Sequence, residues 1–347
     1  MDLYVYDDFE MIAVVDKFTS FRWRRQYYDC GEFELHCDDN LENINLLTAG
    51  RQIVRSDRSD IGIIEGINLL DGEIKVTGRF LSCWLDFAII DGLYQKDESY
   101  ETSIRKWVTD YVIPEHSALE LGNTLGDTNV IDFQTSYKNV LENTSKFCKA
   151  CEMGFRIKKD MNAEKYYFDL YRGVNRSHVQ SENDKVFFSD EFCNLSSPNY
   201  EYSNADYRNY IVVLGEGEGT AKIKVVIDNR ASGESKRALY VDGSGQSVES
   251  GMSKSQYIAL LTAYGNQKAG ECKIIENFTG EAIATPKFVY LSDWDLGDVV
   301  TIESKRWNKA IDQRITEVEE IYENNTETIT PVFGDPLPET IDLEDLI

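Results

Sequence analysis

The stretch from Pro286 to Gly334 constrains the fold most, because it sets four β-type runs around tight polar turns. The runs are Phe288 to Leu291, Val299 to Ile302, Arg314 to Tyr322 and Thr328 to Phe333. Asp293-Trp294-Asp295-Leu296-Gly297-Asp298 turns the first into the second, and Asn324-Asn325 reverses the third. In the third run Ile315, Val318 and Ile321 are separated by Thr316, Glu317, Glu319 and Glu320. This imperfect alternation suits a half-buried antiparallel strand. Gly297 supplies the freedom a tight turn needs, and Pro331 puts the last strand at an edge or a bulge. Such a stretch predicts a closed or nearly closed β-barrel sheet.

The chain has 347 residues, enough for about two to four domains. Its 61 acidic and 36 basic residues give a formal charge of −25, which disfavours direct grip on a phosphate backbone. Twenty tyrosines, sixteen phenylalanines, five tryptophans and only six prolines point to ordered β structure. Seven irregularly spaced cysteines argue against a disulfide framework. Met1-Asp2-Leu3 leads straight into a strand-like segment, so no signal peptide is expected. No apolar run approaches the roughly 20 residues of a membrane span. Folding in a reducing cytoplasm follows as the expectation.

Residues 1–88 read as a first β-barrel domain, with strands at Leu3 to Tyr6, Met11 to Val15, Glu32 to Cys37, Gln52 to Arg55, Ile61 to Ile67 and Ile74 to Phe80. A short helix is expected over Leu41 to Leu47. Residues 89–190 read as an α+β middle domain. It contains an amphipathic helix over Glu101 to Ile113, ended by Pro114, and a second over Ser136 to Met153 with Gly154 as its C′ residue. Strands Phe155 to Lys158 and Tyr166 to Tyr171 follow. Residues 191–214 and 286–335 form the second β-barrel domain, interrupted by an α/β insertion over 215–285. There Asn229 to Gly251 is expected to be mobile, and Ser253 to Gln256 fits a helix capping box. Residues 336–347 are an acidic tail. The fold class is mainly β with α+β insertions.

Catalytic patterns are scarce. His36, His116 and His178 form no metal pair, and His36 lies on the polar face of a strand. Cys148-x-x-Cys151 lies late on an apolar helix face, so buried thiols are favoured over a redox pair. Gly215 to Gly219 lacks the ending of a phosphate loop and reads as a hairpin turn. Asp293, Asp295 and Asp298 read as a solvated turn rather than a calcium site. Gly243-Ser244-Gly245 is not an esterase elbow. The dense basic cluster Arg22-Trp23-Arg24-Arg25 is interleaved with aromatics; on so acidic a chain its arginines are expected to pair with carboxylates, within or between subunits, while Trp23 turns into a core. No cofactor or metal is called for.

Phe21-Arg22-Trp23-Arg24-Arg25-Gln26-Tyr27-Tyr28-Asp29-Cys30-Gly31-Glu32-Phe33-Glu34-Leu35 resembles an opening motif of the phage and prophage tail hub proteins, the Gp37-like siphovirus proteins. Gly78-Arg79-Phe80-Leu81 resembles the next landmark. Leu296-Gly297-Asp298-Val299-Val300, Arg314-Ile315-Thr316-Glu317-Val318 and Pro331-Val332-Phe333-Gly334 resemble the closing signature. The landmarks occur in the family's order across nearly the whole chain.

The resemblance implies a structural, non-enzymatic homotrimer, with two barrel domains per chain in a ring that caps the tail tube. It implies contacts to the tube or distal tail protein and to the tape-measure protein, with DNA passing through an acidic lumen without specific binding. No membrane anchor is implied; the protein is made in the bacterial host cytoplasm and ends in the virion tail. Many such proteins carry an enzymatic or receptor-binding extension after this signature; with about a dozen residues beyond Gly334, the minimal structural version is expected here. The competing readings are a cell-wall hydrolase using a carboxylate pair in 89–190, and a receptor- or carbohydrate-binding module using Trp107 or Trp294.

Overall fold

Alternation of inward and outward side chains builds several of the strands in the computed structural model, which describes residues 1–219, 222–246, 252–283, 287–324 and 326–334. In β1 (Leu3–Asp7), β2 (Glu10–Val15), β3 (Ser20–Gln26) and β4 (Glu32–Cys37), the residues turned inward include Leu3, Val5, Phe21, Trp23, Phe33 and Leu35. Asn40 caps the short α1 (Leu41–Leu46), and β5 (Gln52–Arg55), β6 (Ile61–Leu70) and β7 (Glu73–Phe80) complete this region.

The middle of the chain supplies β8 (Leu93–Ser99), α2 (Tyr100–Trp107), β9 (Leu119–Leu121), β10 (Val130–Ser136), α3 (Val140–Cys151), β11 (Gly154–Asp160) and β12 (Lys165–Tyr171). After α2 the helix loosens to a π turn and then a 3-10 turn holding Pro114. Helix α3 starts later than expected because residues up to Ser136 pair in β10 and Asn139 caps the helix. Gly154 is not its C′ residue; Glu152 takes the left-handed conformation there, and Gly154 opens β11.

Next come β13 (Phe187–Ser189), β14 (Leu195–Ser203), β15 (Tyr210–Leu214), β16 (Lys224–Asp228), β17 (Ala238–Asp242) and α4 (Lys254–Gly270). Strands β18 (Ile275–Ala282), β19 (Val299–Ser304), β20 (Lys309–Glu323) and β21 (Thr326–Phe333) end the described chain. The capping box at Ser253 is formed as expected. The segment from Asn229 contains an ordered strand, β17, parallel to β15, so it is not a plain mobile loop over its described part; residues 247–251 lie outside the described residues. Asn325, Pro286 and the 336–347 tail also lie outside them.

Two separate closed barrels are not what the pairing shows. One 13-stranded sheet runs β14-β18-β21-β20-β3-β4-β7-β6-β5-β1-β2, with β13 and β19 branching from β20. Among the described residues no pairing closes this path. The join is β3, whose two edges bind β4 and β20. The expected strand at Phe288 to Leu291 is instead a compact loop. Phe288 and Leu291 hold positive φ, and Trp294 Nε1 donates to Phe288 O at 2.7 Å.

Three apolar clusters fill the interior. The largest takes side chains from β1 through β12, a second surrounds Tyr27, Phe188, Phe278 and Phe333, and the third lies between α4 and the β16-β15-β17 sheet. Burial of these aliphatic and aromatic side chains supplies the main driving force for folding.

On the polar face of β4, His36 is half-buried, 2.8 Å from Glu34 and 3.0 Å from Glu73. Burial opposes its charged form, but both carboxylates outweigh it and raise the histidine pKa. Burial likewise opposes ionised Glu34, yet Lys75 and His36 hold its pKa down. The Glu34 contribution is present above its unfolded pKa, and the His36 contribution disappears as pH rises through the raised folded value. His36→Gln should therefore flatten the fall in melting temperature between the ordinary histidine pKa and the raised folded value. An unchanged pH profile would refute the pairing.

Candidate functional site: a buried charged seam at the joining strand

Strand β3 carries the densest basic cluster, and its alternation sorts that cluster onto two faces. Arg22 and Arg24 point outward. Arg22 lies 3.3 Å from Glu319, and Arg24 sits between Glu317 at 2.8 Å and Glu32 at 3.0 Å. The hydrogen bond to Glu317 is the main reason the Arg24 pKa is raised. These are intrachain pairs across β4-β3-β20. Inward, Trp23 is fully buried, with ring centroids 4.4 Å from Phe80 and 5.9 Å from Phe33.

Arg25 also points inward, which a simple polar-out pattern does not foresee. Its Nη1 donates to Tyr290 Oη at 2.8 Å and Asp295 Oδ1 at 2.6 Å, and its Nε lies 2.9 Å from Asp60 Oδ2. Burial alone would lower its pKa, but Asp60, Tyr290 and Asp295 hold it charged and well above the usual value. Tyr290 in turn donates to Glu320 Oε1 at 3.1 Å. Glu320 accepts from Arg55 at 2.8 Å and from Arg58, and Arg55 reaches Glu327 at 3.1 Å. A continuous polar chain thus ties residues 55–60 to the C-terminal strand through a buried interior.

The resemblance motifs converge on either side of this seam. Gly31 admits Phe80, where a Cβ would come within 2.4 Å of its ring; Glu32 holds Arg24; Gly78 admits Phe33 and the Ile63 carbonyl. Arg79 pairs with Glu65 and Asp86, each at 2.8 Å. On the other side Leu296 is buried, and Gly297, at φ +93°, lies so close to Tyr27 that a Cβ would sit 2.3 Å from its ring. Arg314 donates to Gly297 O at 2.6 Å and pairs with Glu152 at 2.7 Å. Phe333 is buried against Phe188 at 5.1 Å, and Gly334 N donates to Arg314 O.

Asp298 is not in a solvated turn: it is buried, accepting from Val174 N at 2.7 Å and Arg176 Nε at 2.9 Å, and burial raises its pKa. Asp295 is committed to Arg25, and Asp293 to Val289 N.

Tyr27, inside the motif but not singled out by sequence, is the point where these segments meet. Its hydroxyl lies 3.2 Å from Glu152 O and 3.1 Å from Tyr171 O, and accepts from Gly173 N at 3.2 Å. Gly154 and Gly297 both give way to its ring. That spacing of glycines was the only signal, and it is legible only in three dimensions. Gly297→Ala should cost about 2–4 kcal/mol, combining strained φ with overpacking. Gly245→Ala, with nothing within 4 Å of its Cβ, should be near neutral. Urea midpoints check both, and equal midpoints would refute the close packing.

The other candidates do not form a reaction centre. Cys148 and Cys151 are buried and burial raises both pKa values, Cys151 to about 12. Glu101, the buried carboxylate of the middle region, accepts from Leu125 N and Asp127 N, and these hydrogen bonds outweigh burial and lower its pKa, the wrong direction for a general acid. Thr301 Oγ1 donates directly to Asp312 Oδ1, and both meet the same His178 Nδ1, so the imidazole does not stand between hydroxyl and carboxylate as a catalytic triad requires. Trp107 and Trp294 are buried at 0% and 2% exposure, which removes them as sugar-stacking platforms. Among the described residues no group of three or more His, Cys, Asp or Glu could hold a metal, and no helix is long and apolar enough to cross a membrane.

The seam is therefore an arrangement that fixes two halves of a sheet in one geometry. The family model described as Siphovirus ReqiPepy6 Gp37-like protein matches residues 2–335. The chain belongs to that family. Solved structures extend this at the level of fold. The Gp37-like chain is similar to the tail protein from Neisseria meningitidis MC58 at 11% identity and TM-score 0.61, covering 96% of each chain. It is similar to the 43 kDa tail protein of prophage MuSo2 from Shewanella oneidensis at 10% identity and TM-score 0.63, covering 96% of this chain and 98% of that one. Prophage tail protein gp18 from Listeria monocytogenes EGD-e matches at 9% identity and TM-score 0.59, covering 98% and 96%. No curated protein matches the sequence. The Gp37-like chain thus shares its fold with these tail proteins over nearly its whole length.

Proposed function

We propose that this chain is a structural tail hub: three copies form a ring that caps the tail tube and lets DNA pass. The observation that carries the reading is the family match over 2–335 together with tail-protein folds matched across the whole chain. In this reading the N-terminal strands β1–β7 and the C-terminal strands β14 and β18–β21 supply two tail-tube-like sheet modules per chain, six per ring, with β15 belonging to the insertion and β18 to the large sheet. The middle region with α2 and α3, and the β16-β15-β17 sheet with α4, decorate the outside. The seam from Arg22 to Arg25, with its partners on β20 and in the 295–298 turn, keeps the two modules in a fixed relative geometry.

The distal tail or tube protein docks on one face, and the tape-measure protein enters the lumen. The formal charge of −25 suits a channel along which DNA slides without sticking. Such a protein works by assembly in the tail after synthesis in the host cytoplasm, and needs no catalytic group. Light scattering on a size-exclusion column over a concentration series tests the ring. A mass of three chains with ring-shaped particles in negative stain is expected, and a strict monomer at every concentration would overturn self-assembly.

A further inference from the structure

We propose that Lys159 and Gln52 join in an intramolecular isopeptide bond that staples β11 to β5. The inference goes beyond the hub reading and stands apart from it.

Two cross-strand pairs meet at this point. Between β11 and β12, Lys159 stands opposite Tyr166; in the large sheet, Gln52 at the start of β5 stands opposite Tyr6 of β1. The two registers bring an amine, a carboxamide and a phenol together. Lys159 Nζ lies 3.0 Å from Gln52 Oε1, and Gln52 Nε2 lies 2.6 Å from Tyr166 Oη. Gln52 and Tyr166 are each 2% exposed, so bulk water does not compete for the carboxamide. Reactants held in contact in this way need no encounter in solution.

The amine is placed as a nucleophile. Its Nζ sits 4.0, 5.1 and 5.9 Å from the ring centroids of Tyr6, Phe9 and Tyr166, and it bonds Asp8 O in the turn between β1 and β2. Burial pulls the Lys159 pKa down to about 8, against the opposing charge of Asp8. A lysine desolvated among apolar groups supplies the neutral amine that attacks a carbonyl carbon. Contact with ring faces favours the ammonium, so the bond is expected to form over hours rather than seconds.

In the reaction Nζ bonds to Cδ of Gln52 and the Cδ–Nε2 bond breaks. A proton passes from Nζ to Nε2 through Tyr166 Oη, and ammonia leaves. The electrons balance without an oxidant or reductant. Burial pushes the Tyr166 phenol up to about 12, so it stays protonated and carries that proton. The product closes a loop between positions 107 residues apart, which restricts the unfolded chain. The cysteines supply no such brace, since all seven are free.

The test is intact-mass spectrometry and tryptic mapping of the full wild-type chain, kept folded at about pH 8.5, above the lowered amine pKa. The mass should settle about 17 Da below that of the sequence, the loss of one ammonia. The digest should hold a branched peptide joining residues 52–55 to residues 159–165. Lys159→Arg, with an unchanged far-ultraviolet spectrum, should keep the full mass and melt several degrees lower. Tyr166→Phe should form the bond at least about tenfold more slowly. A wild-type chain that keeps its full mass and yields only linear peptides overturns the proposal, whatever its state of assembly. The same mass loss in Lys159→Arg places the chemistry elsewhere and overturns it too. Bond formation at an undiminished rate in Tyr166→Phe overturns the proton route assigned to that hydroxyl.

Discussion

Glu320→Gln is expected to destabilise the protein by about 3–5 kcal/mol, read as a shift in the urea midpoint at constant slope. The reason is the position of this carboxylate rather than the number of its contacts. Glu320 is 1% exposed and compensates Arg55 and Arg58, whose side chains are 2% and 7% exposed. A glutamine there would keep the shape but leave two guanidinium groups in the interior with too little negative charge. The bond donated by Tyr290 would weaken as well, and Tyr290 also holds Arg25. The contrast is Glu327→Gln. That carboxylate is 39% exposed and shares Arg55 with the better-buried Glu320, so its loss should cost less than about 1 kcal/mol. Equal effects of the two substitutions would show that the seam is not buried in solution.

Trp23→Ala is expected to cost about 3–5 kcal/mol through the cavity left between Phe21, Phe33 and Phe80. Its neighbour Arg22 has a side chain 50% exposed and a pair to Glu319 at 3.3 Å, so Arg22→Ala should fall within about 1 kcal/mol of wild type. Alternate residues of one strand would then differ severalfold in effect. A small effect of Trp23→Ala would mean that β3 does not bury this face. Because β3 is the strand that joins the two halves of the sheet, its loosening should also lower the yield of assembled particles.

How much of this was legible in the sequence follows from the range of the interactions involved. Local signals worked: the alternation of Glu32 to Cys37, the Ser253 capping box, and the inward turn of Trp23 all depend on residues a few positions apart. The arginines of β3 were expected to pair with carboxylates, and Arg22 and Arg24 do so across adjacent strands. Strand β3 itself was hidden by its three arginines. The burial of Arg25 was hidden because Asp60, Tyr290 and Asp295 are remote in sequence. Strand β17 lies in a Ser- and Gly-rich segment and exists because β15 offers it a parallel edge. Phe288 to Leu291 has strand composition, yet the buried Trp294 anchors it as a loop. Closure failed for a similar reason. The strand count suggests barrels, but whether edges meet depends on long-range register, and β3 joins β20 instead of closing back on the N-terminal strands.

Electron cryo-microscopy of the tails that carry this protein tests the central claim most directly. The hub reading predicts three copies arranged around the lumen at one end of the tube, each placing its large sheet in the ring. A tail whose tip lacks this chain, or holds it as a single peripheral copy away from the lumen, would contradict it.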